Sequence, residues 1–310
     1  MASNVHLDSK MDDDARRASI YDGQLFMYSA RDSVQRFALF AQEMIREAFA
    51  PLDPETAQFE MPVERFAHIL AELKPRFIHH PQSKVHVQEI LRDLGCDAEQ
   101  TYFDVPRLRS STSDNYLTSG IAYAWHPHRD TWYSAPQFQV NFWMPVFEID
   151  SNNAMAFHPP YWGRGVENSS SQYNYYRWNK VHRGPDVAKL LTEDPRPLPR
   201  ATSVELEPQL RLLPAVGGMI IFSGAQMHSS VPNTSGRTRY SIDFRTVHAG
   251  DAKARRGAPR SDEESTGTTM RDYLRASDHS RLPEAIIAMY SDGSEDDGKL
   301  IYGPEQAQRR

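Results

Sequence analysis

The sequence predicts an α+β protein, mainly β, in which a helical layer precedes an antiparallel sandwich or barrel. Three observations carry that expectation. Apolar residues recur at helical spacing up to about residue 100. From there to about residue 248 they alternate with polar ones in short runs punctuated by Pro, Gly, Asn and Ser. Two of those runs alternate so regularly that each strand has one polar and one apolar face. A chain of 310 residues allows two domains, but one domain over 25–290 accounts for the pattern.

Residues 1–24 are polar and acidic and read as a flexible tail, neither signal peptide nor anchor. The helical layer occupies 25–100. Its first helix runs from Arg31 to Ala50, with Val34, Phe37, Phe40, Met44, Ile45 and Phe49 on one face and Pro51 and Pro54 as the stop. A second spans Val63–Leu73 and should end at Pro75; a third spans Val85–Leu94 and closes at Gly95. The β core covers 101–248. In Gln137–Met144, Gln137, Gln139, Asn141 and Trp143 share one face; in Arg237–Val247, Arg237, Arg239, Ser241, Asp243 and Arg245 do. Such a polar face either meets bulk water or lines a wet cavity, with helices covering the apolar side.

Residues 161–200 form a long polar and aromatic insertion with the character of a lid. The stretch after Val247, up to Thr269, reads as a mobile loop. Leu282–Tyr290 is amphipathic, and 291–310 reads as a polar tail.

The formal charge is −6, which disfavours nucleic-acid polymers and anionic membranes as partners. Arg outnumbers Lys by 28 to 7, so anionic small molecules remain open. No apolar run reaches the ~20 residues of a membrane helix, and Cys96 is the lone cysteine. The expectation is a soluble cytoplasmic protein with a small-molecule partner; the oligomeric state stays open.

The chemistry-bearing segment is Trp125-His-Pro-His-Arg-Asp-Thr-Trp132. His128 and Asp130 lie two apart, which on a strand puts them on one face, where they can hold adjacent corners of one metal ion. His228 follows the strand-like run Gly217–Phe222 and is the natural third ligand. Two imidazoles and one carboxylate leave open positions and suit non-haem Fe(II) chemistry. His-x-Asp tripeptides are common by chance, and the order lends this one weight. His228 comes 98 residues after Asp130, Arg239 another 11 on, and Ser241 at 13. His126 shares parity with His128 but lies four residues from Asp130, ~13 Å along a strand, and so is a neighbour or substrate contact rather than a ligand.

With these residues in that order the chain resembles the Fe(II)/2-oxoglutarate-dependent oxygenases, closest in pattern to the phytanoyl-CoA dioxygenase-like group. His128-x-Asp130, His228 and Arg239-Tyr-Ser241 match the family's ligands and its Arg-x-Ser. Asn153–Pro160, Gly217–Phe222 and Asn233-Thr-Ser235 stand where the family has its other landmarks, so the resemblance covers roughly 100–247. Ala154, His158-Pro-Pro160 and Gly218 depart from the pattern without touching the ligands.

The resemblance implies a double-stranded β-helix (jelly-roll) core, with Fe(II), 2-oxoglutarate and O2 as metal, cosubstrate and oxidant. His128, Asp130 and His228 would hold iron, while Arg239 and Ser241 would bind the distal carboxylate of 2-oxoglutarate. Arg237 is the local rival to Arg239. By strand parity Gln139 and Asn141 are expected to donate to a bound carboxylate. His126, Trp132, Tyr176, Arg177 and Arg183 are candidate substrate contacts. The implied reaction hydroxylates an unactivated carbon of a polar, possibly anionic small molecule, with desaturation as a variant. Asp130 disfavours halogenation, because it fills the position a halide needs. The alternatives are a same-fold metalloenzyme that does not use 2-oxoglutarate and a non-catalytic jelly-roll binding module.

Overall fold

In the computed structural model of the chain, which describes residues 4–121, 126–182 and 185–294, eleven strands form two sheets among those residues. The strands are β1 (Val5–Leu7), β2 (Leu25–Tyr28), β3 (Thr101–Phe103), β4 (Arg107–Ser111), β5 (Val140–Pro145) and β6 (Met155–Phe157). They continue with β7 (Leu210–Leu212), β8 (Met219–Ser223), β9 (His228–Ser230), β10 (Arg239–His248) and β11 (Leu274–Arg275). The larger sheet runs β1-β2-β8-β5-β10-β3-β11, with β4 also on β10; the smaller is β7-β6-β9. Pairing is antiparallel throughout except between β1 and β2.

The two readable strands pair with each other. Phe244 of β10 faces Phe142 of β5, and their rings stack at 4.5 Å, a cross-strand contact worth about 0.2–1 kcal/mol. With Met144 and Ile242 they belong to one buried core that also takes in Val34, Phe37 and Ile45, and Phe66, Leu70 and Phe77. Those six lie on α2 (Asp32–Phe49) and α3 (Val63–His79), which precede α4 (Pro81–Asp93). The helices therefore cover the apolar face of the large sheet. The other face of β10, with Arg239, Ser241, Asp243 and Arg245, lines a cavity together with Asn141 and Trp143. Of the two possibilities for the polar face, the structure takes the inner one.

Two expectations are corrected. Residues 5–21 do not form a flexible tail: β1 pairs with β2, and α1 (Asp13–Tyr21) is capped by the Asp12 carboxylate on the Ala15 amide at 2.8 Å. Its charges are used internally, since Arg17 donates to Asp251 at 2.7 Å and Tyr21 to the same carboxylate at 2.9 Å. Satisfied ion pairs look like a solvated tail in a sequence. Nor does Pro75 end the second helix, for α3 continues to His79. Its last turn is held by Phe77, fully buried and stacked on Phe37 at 5.6 Å, which offsets the hydrogen bond that proline cannot donate. The chain turns out at His80, ahead of Pro81.

Residues 161–200 carry the short helix α5 (Tyr175–Val181), and 249–254 form α6 (Ala249–Ala254), where a mobile loop was expected. The amphipathic segment near the end contains α7 (Glu284–Ile287), whose Ile286 and Ile287 join the main core. Most of the expected polar tail, 295–310, lies outside the described residues. No described helix is long and apolar enough to cross a membrane.

Candidate metal centre

His128 and His228 face each other across an isolated antiparallel bridge. Each donates its amide to the other's carbonyl, at 2.9 and 3.0 Å. Directly opposed residues of an antiparallel pair project to the same side, and the two rings lie 4.3 Å apart. The Asp130 amide donates to the Gly224 carbonyl at 2.8 Å, and Asp130 opens a 3-10 turn that runs to Tyr133. The ligand pair is thus not carried on one regular strand, as the spacing alone suggested. A single bridge residue followed by a tight turn brings the carboxylate to the imidazoles.

One donor atom from each of His128, Asp130 and His228 lies within 4.8 Å of the other two, and all three residues are buried, so the group can hold a metal ion. Asp130 Oδ1 is 3.5 Å from His128 Nε2 and 3.9 Å from His228 Nε2. The other ring nitrogens are engaged: His128 Nδ1 lies 2.9 Å from the His126 carbonyl, and His228 Nδ1 lies 2.9 Å from the Gln226 carbonyl. A carbonyl can only accept, so each Nδ1 carries the proton and each Nε2 keeps its lone pair for a metal. Burial, with His128 alongside, lowers the His228 imidazole to about 3 and keeps it neutral at pH 7.

The carboxylate is aimed in the same way. Asp130 Oδ2 accepts from Gln139 Nε2 and Asn141 Nδ2, both at 2.9 Å, which leaves Oδ1 on the imidazole side. Gln139 Oε1 in turn accepts from Tyr273 at 2.7 Å. Gln139 and Asn141 therefore lie on the expected side, hydrogen-bonded to the Asp130 carboxylate, and Asn141 also lines the inner cavity. Burial by itself would raise the Asp130 carboxyl; Arg245, with Nε 3.4 Å from Oδ2, holds it well below the usual carboxylate range.

Asp130 and His228 share a small cavity with Ser229, Ser230, Arg239, Ser241 and Arg245. Arg239 is 4% exposed, donating to the Asn153 carbonyl at 2.7 Å and to Ser230 Oγ at 3.0 Å. Its rival Arg237 has a side chain 38% exposed and sits near Glu55 and Asp150, outside that cavity. The Ser241 hydroxyl is fully buried with no hydrogen-bond partner among the described residues.

The weaker substrate candidates fare differently. His126 lines a second, larger cavity that reaches His128 and Asp130. Trp132 is fully buried and donates to Asp262 Oδ1 at 2.7 Å, so it braces the ligand turn and cannot meet a substrate. Tyr176 is buried beside Tyr175, Arg177 is exposed, and neither lines that cavity. Arg183 lies outside the described residues.

Three residues that the sequence did not single out support the centre. Arg245 has the strand parity of Arg239 and could have been found by it. Arg129, 1% exposed, reaches from between the two ligands to Asp262 at 3.2 Å and to the Ala225, Tyr161 and Arg164 carbonyls at 2.6–2.8 Å. Asp262 itself sits in the polar stretch read as mobile, where no pattern marks it.

No family model and no curated protein matches the chain. Among solved structures, EvdO2 from Micromonospora carbonacea var. aurantiaca is 12% identical, over 79% of this chain and 94% of that one, with a TM-score of 0.42. The non-heme alpha ketoglutarate dependent epimerase SnoN from nogalamycin biosynthesis is 12% identical over 76% and 82%, at 0.38. The carbocyclase SnoK from the same biosynthesis is 13% identical over 82% and 95%, at 0.39. Scores this low leave the function to be argued from the site itself.

Proposed function

We propose that this chain is an Fe(II)/2-oxoglutarate-dependent oxygenase of the phytanoyl-CoA dioxygenase-like kind, its two sheets being the halves of a jelly roll. The observation that carries the reading is the aim of the triad. Both Nδ1 atoms are tied to backbone carbonyls and Asp130 Oδ2 to two amides, so that Nε2, Nε2 and Oδ1 converge on one point. That donor set, two imidazoles and one carboxylate, suits Fe(II) with open positions for cosubstrate and oxygen.

The residues behind it fit 2-oxoglutarate. Arg239 presents a planar fork for the distal carboxylate, and the unpartnered Ser241 hydroxyl can donate to the same group. Iron and 2-oxoglutarate, when bound, supply oxidation of an unactivated C–H bond by O2, with succinate and CO2 as coproducts. The chain's own part is to orient the ligands, hold Asp130 ionised through Arg245, and keep bulk water out. Hydroxylation is the reading for the outcome. Asp130 occupies the position a halide would need, so product made in excess chloride carries no halogen by mass spectrometry. The 161–200 insertion forms part of the substrate enclosure, as Tyr173, Trp178 and Arg196 line the outer cavity.

The test is succinate formation by the purified chain with Fe(II), 2-oxoglutarate and O2, scored against omission of each. Formation that needs all three supports the reading. Metal binding with no need for 2-oxoglutarate selects the metalloenzyme alternative, and no metal binding selects the binding module.

A further inference from the structure

The outer cavity is the larger of the two, and it meets the candidate metal centre at His128 and Asp130. Most cations on its wall are matched to carboxylates. Arg109 pairs with Asp243 at 2.7 Å, Arg245 with Asp243 at 2.9 Å, and Arg107 and Arg196 with Asp104 and Asp194. Lys74, on α3, is not. Its Nζ donates to the Ile121 carbonyl, and among the described residues no carboxylate lies within ion-pair distance. Burial, with repulsion from Arg109, lowers its ammonium to about 7, and the opposing pull of the Asp243 carboxylate does not offset this. An ammonium has three donors and Ile121 takes one, so the group has room for an anion.

A second, independent feature runs along the same cavity. Ring contacts pass from the metal-side His128 to Tyr133 at 5.5 Å, on to Tyr173 at 5.3 Å, and on to Trp178 at 5.5 Å. Arg196 lies over the Trp178 ring at 5.1 Å and closes the outer end. The first two contacts are edge-to-face and the third tilted, so this wall offers an aromatic body both ring edges and ring faces.

We infer that the outer cavity takes a small aromatic acid, its ring laid along Tyr133, Tyr173 and Trp178 and its anionic group held by the Lys74 ammonium. This rests on the reading of the triad as the reactive centre, because that reading makes the cavity a substrate site. The ring series then leads the bound body to the His128–Asp130 edge.

The test uses the full chain without added metal, titrated by calorimetry with 1-naphthoate and, as neutral control, 1-naphthamide. Naphthoate is expected to bind at least about tenfold more tightly, the scale of a charge-assisted hydrogen bond. Lys74→Met should bring the two within about threefold of each other by weakening naphthoate alone, while Lys74→Arg retains the preference. Should Lys74→Met fail to fold, Lys74→Gln serves in its place. Equal binding of the two probes to the unaltered chain, binding of neither, or a preference untouched by Lys74→Met overturns the inference. So does loss of naphthoate binding in Arg239→Lys, which would place the anion in the inner cavity. These readouts involve no turnover, so their failure leaves iron-dependent succinate formation standing, and the reverse also holds.

Discussion

Arg129 and Asp262 form a buried ion pair, Nε to Oδ2 at 3.2 Å, with side chains 1% and 5% exposed. Arg129 stands between two proposed metal ligands in sequence, and Asp262 also accepts from Trp132 in the following turn and from the Val166 amide at 3.0 Å. One carboxylate thus braces the ligand turn against the start of the long insertion. Removing one member of a buried pair leaves the other charge uncompensated, so Asp262→Ala should cost about 3–5 kcal/mol in urea denaturation and loosen metal binding. A loss below about 1 kcal/mol would mean that the pair is as dispensable as a surface one.

His228→Ala removes one of three donors. The residue is neutral and its backbone bridge to His128 does not depend on the ring. The expected outcome is an unchanged circular dichroism spectrum with no metal-dependent succinate formation. Activity retained in this variant would show that the iron ligands lie elsewhere.

Asn141→Leu deletes a donor to Asp130 Oδ2 and keeps similar volume. Supporting contacts of this kind are worth roughly 10–100-fold in metal affinity. Competition with a chelator of known affinity measures the change, and equal affinity would leave Asn141 a core residue only.

Arg239→Lys keeps the charge and loses the fork, so 2-oxoglutarate affinity should fall by about 1.5–3 kcal/mol. Arg237→Lys should change it little, its side chain being 38% exposed and outside the inner cavity. Calorimetry on both variants decides between the two arginines.

Asp243 sets an acid limit. Burial opposes its ionisation, yet Arg109 and Arg245 hold the carboxyl at about 2. Unfolded, the group returns to about 3.9, so its contribution, on the order of a few kcal/mol, is present above about pH 4 and is lost as pH falls through 2. Denaturation of Asp243→Asn against the unaltered chain should show a stability gap at pH 7 that narrows below pH 4. A gap that stays constant down to pH 3 contradicts the assignment.

The centre was legible where its chemistry is local in sequence. His128, Asp130 and His228 stand in order, and Arg239 and Arg237 differ in a way that strand parity cannot show but burial does. Parity placed Gln139 and Asn141 on the correct face without revealing their partner, because Asp130 reaches them through a turn that no periodicity encodes. The β10 alternation was plain, and its polar face turned inward because α2 and α3 claim the apolar one. Residues 5–21 were misread for a related reason. Arg17 and Asp13 are polar letters in a sequence, and only the fold brings Asp251, more than two hundred residues away, to neutralise the cation. Asp262 was invisible for the same cause.

The paired amides of His128 and His228 have a consequence for metal loading at the proposed centre. Both hydrogens are held by backbone carbonyls, so in deuterium exchange they should be slow in the metal-free chain and gain little further protection on loading. The ion then settles into a frame already closed, and it raises thermal stability only by mass action, as any ligand of the native state does.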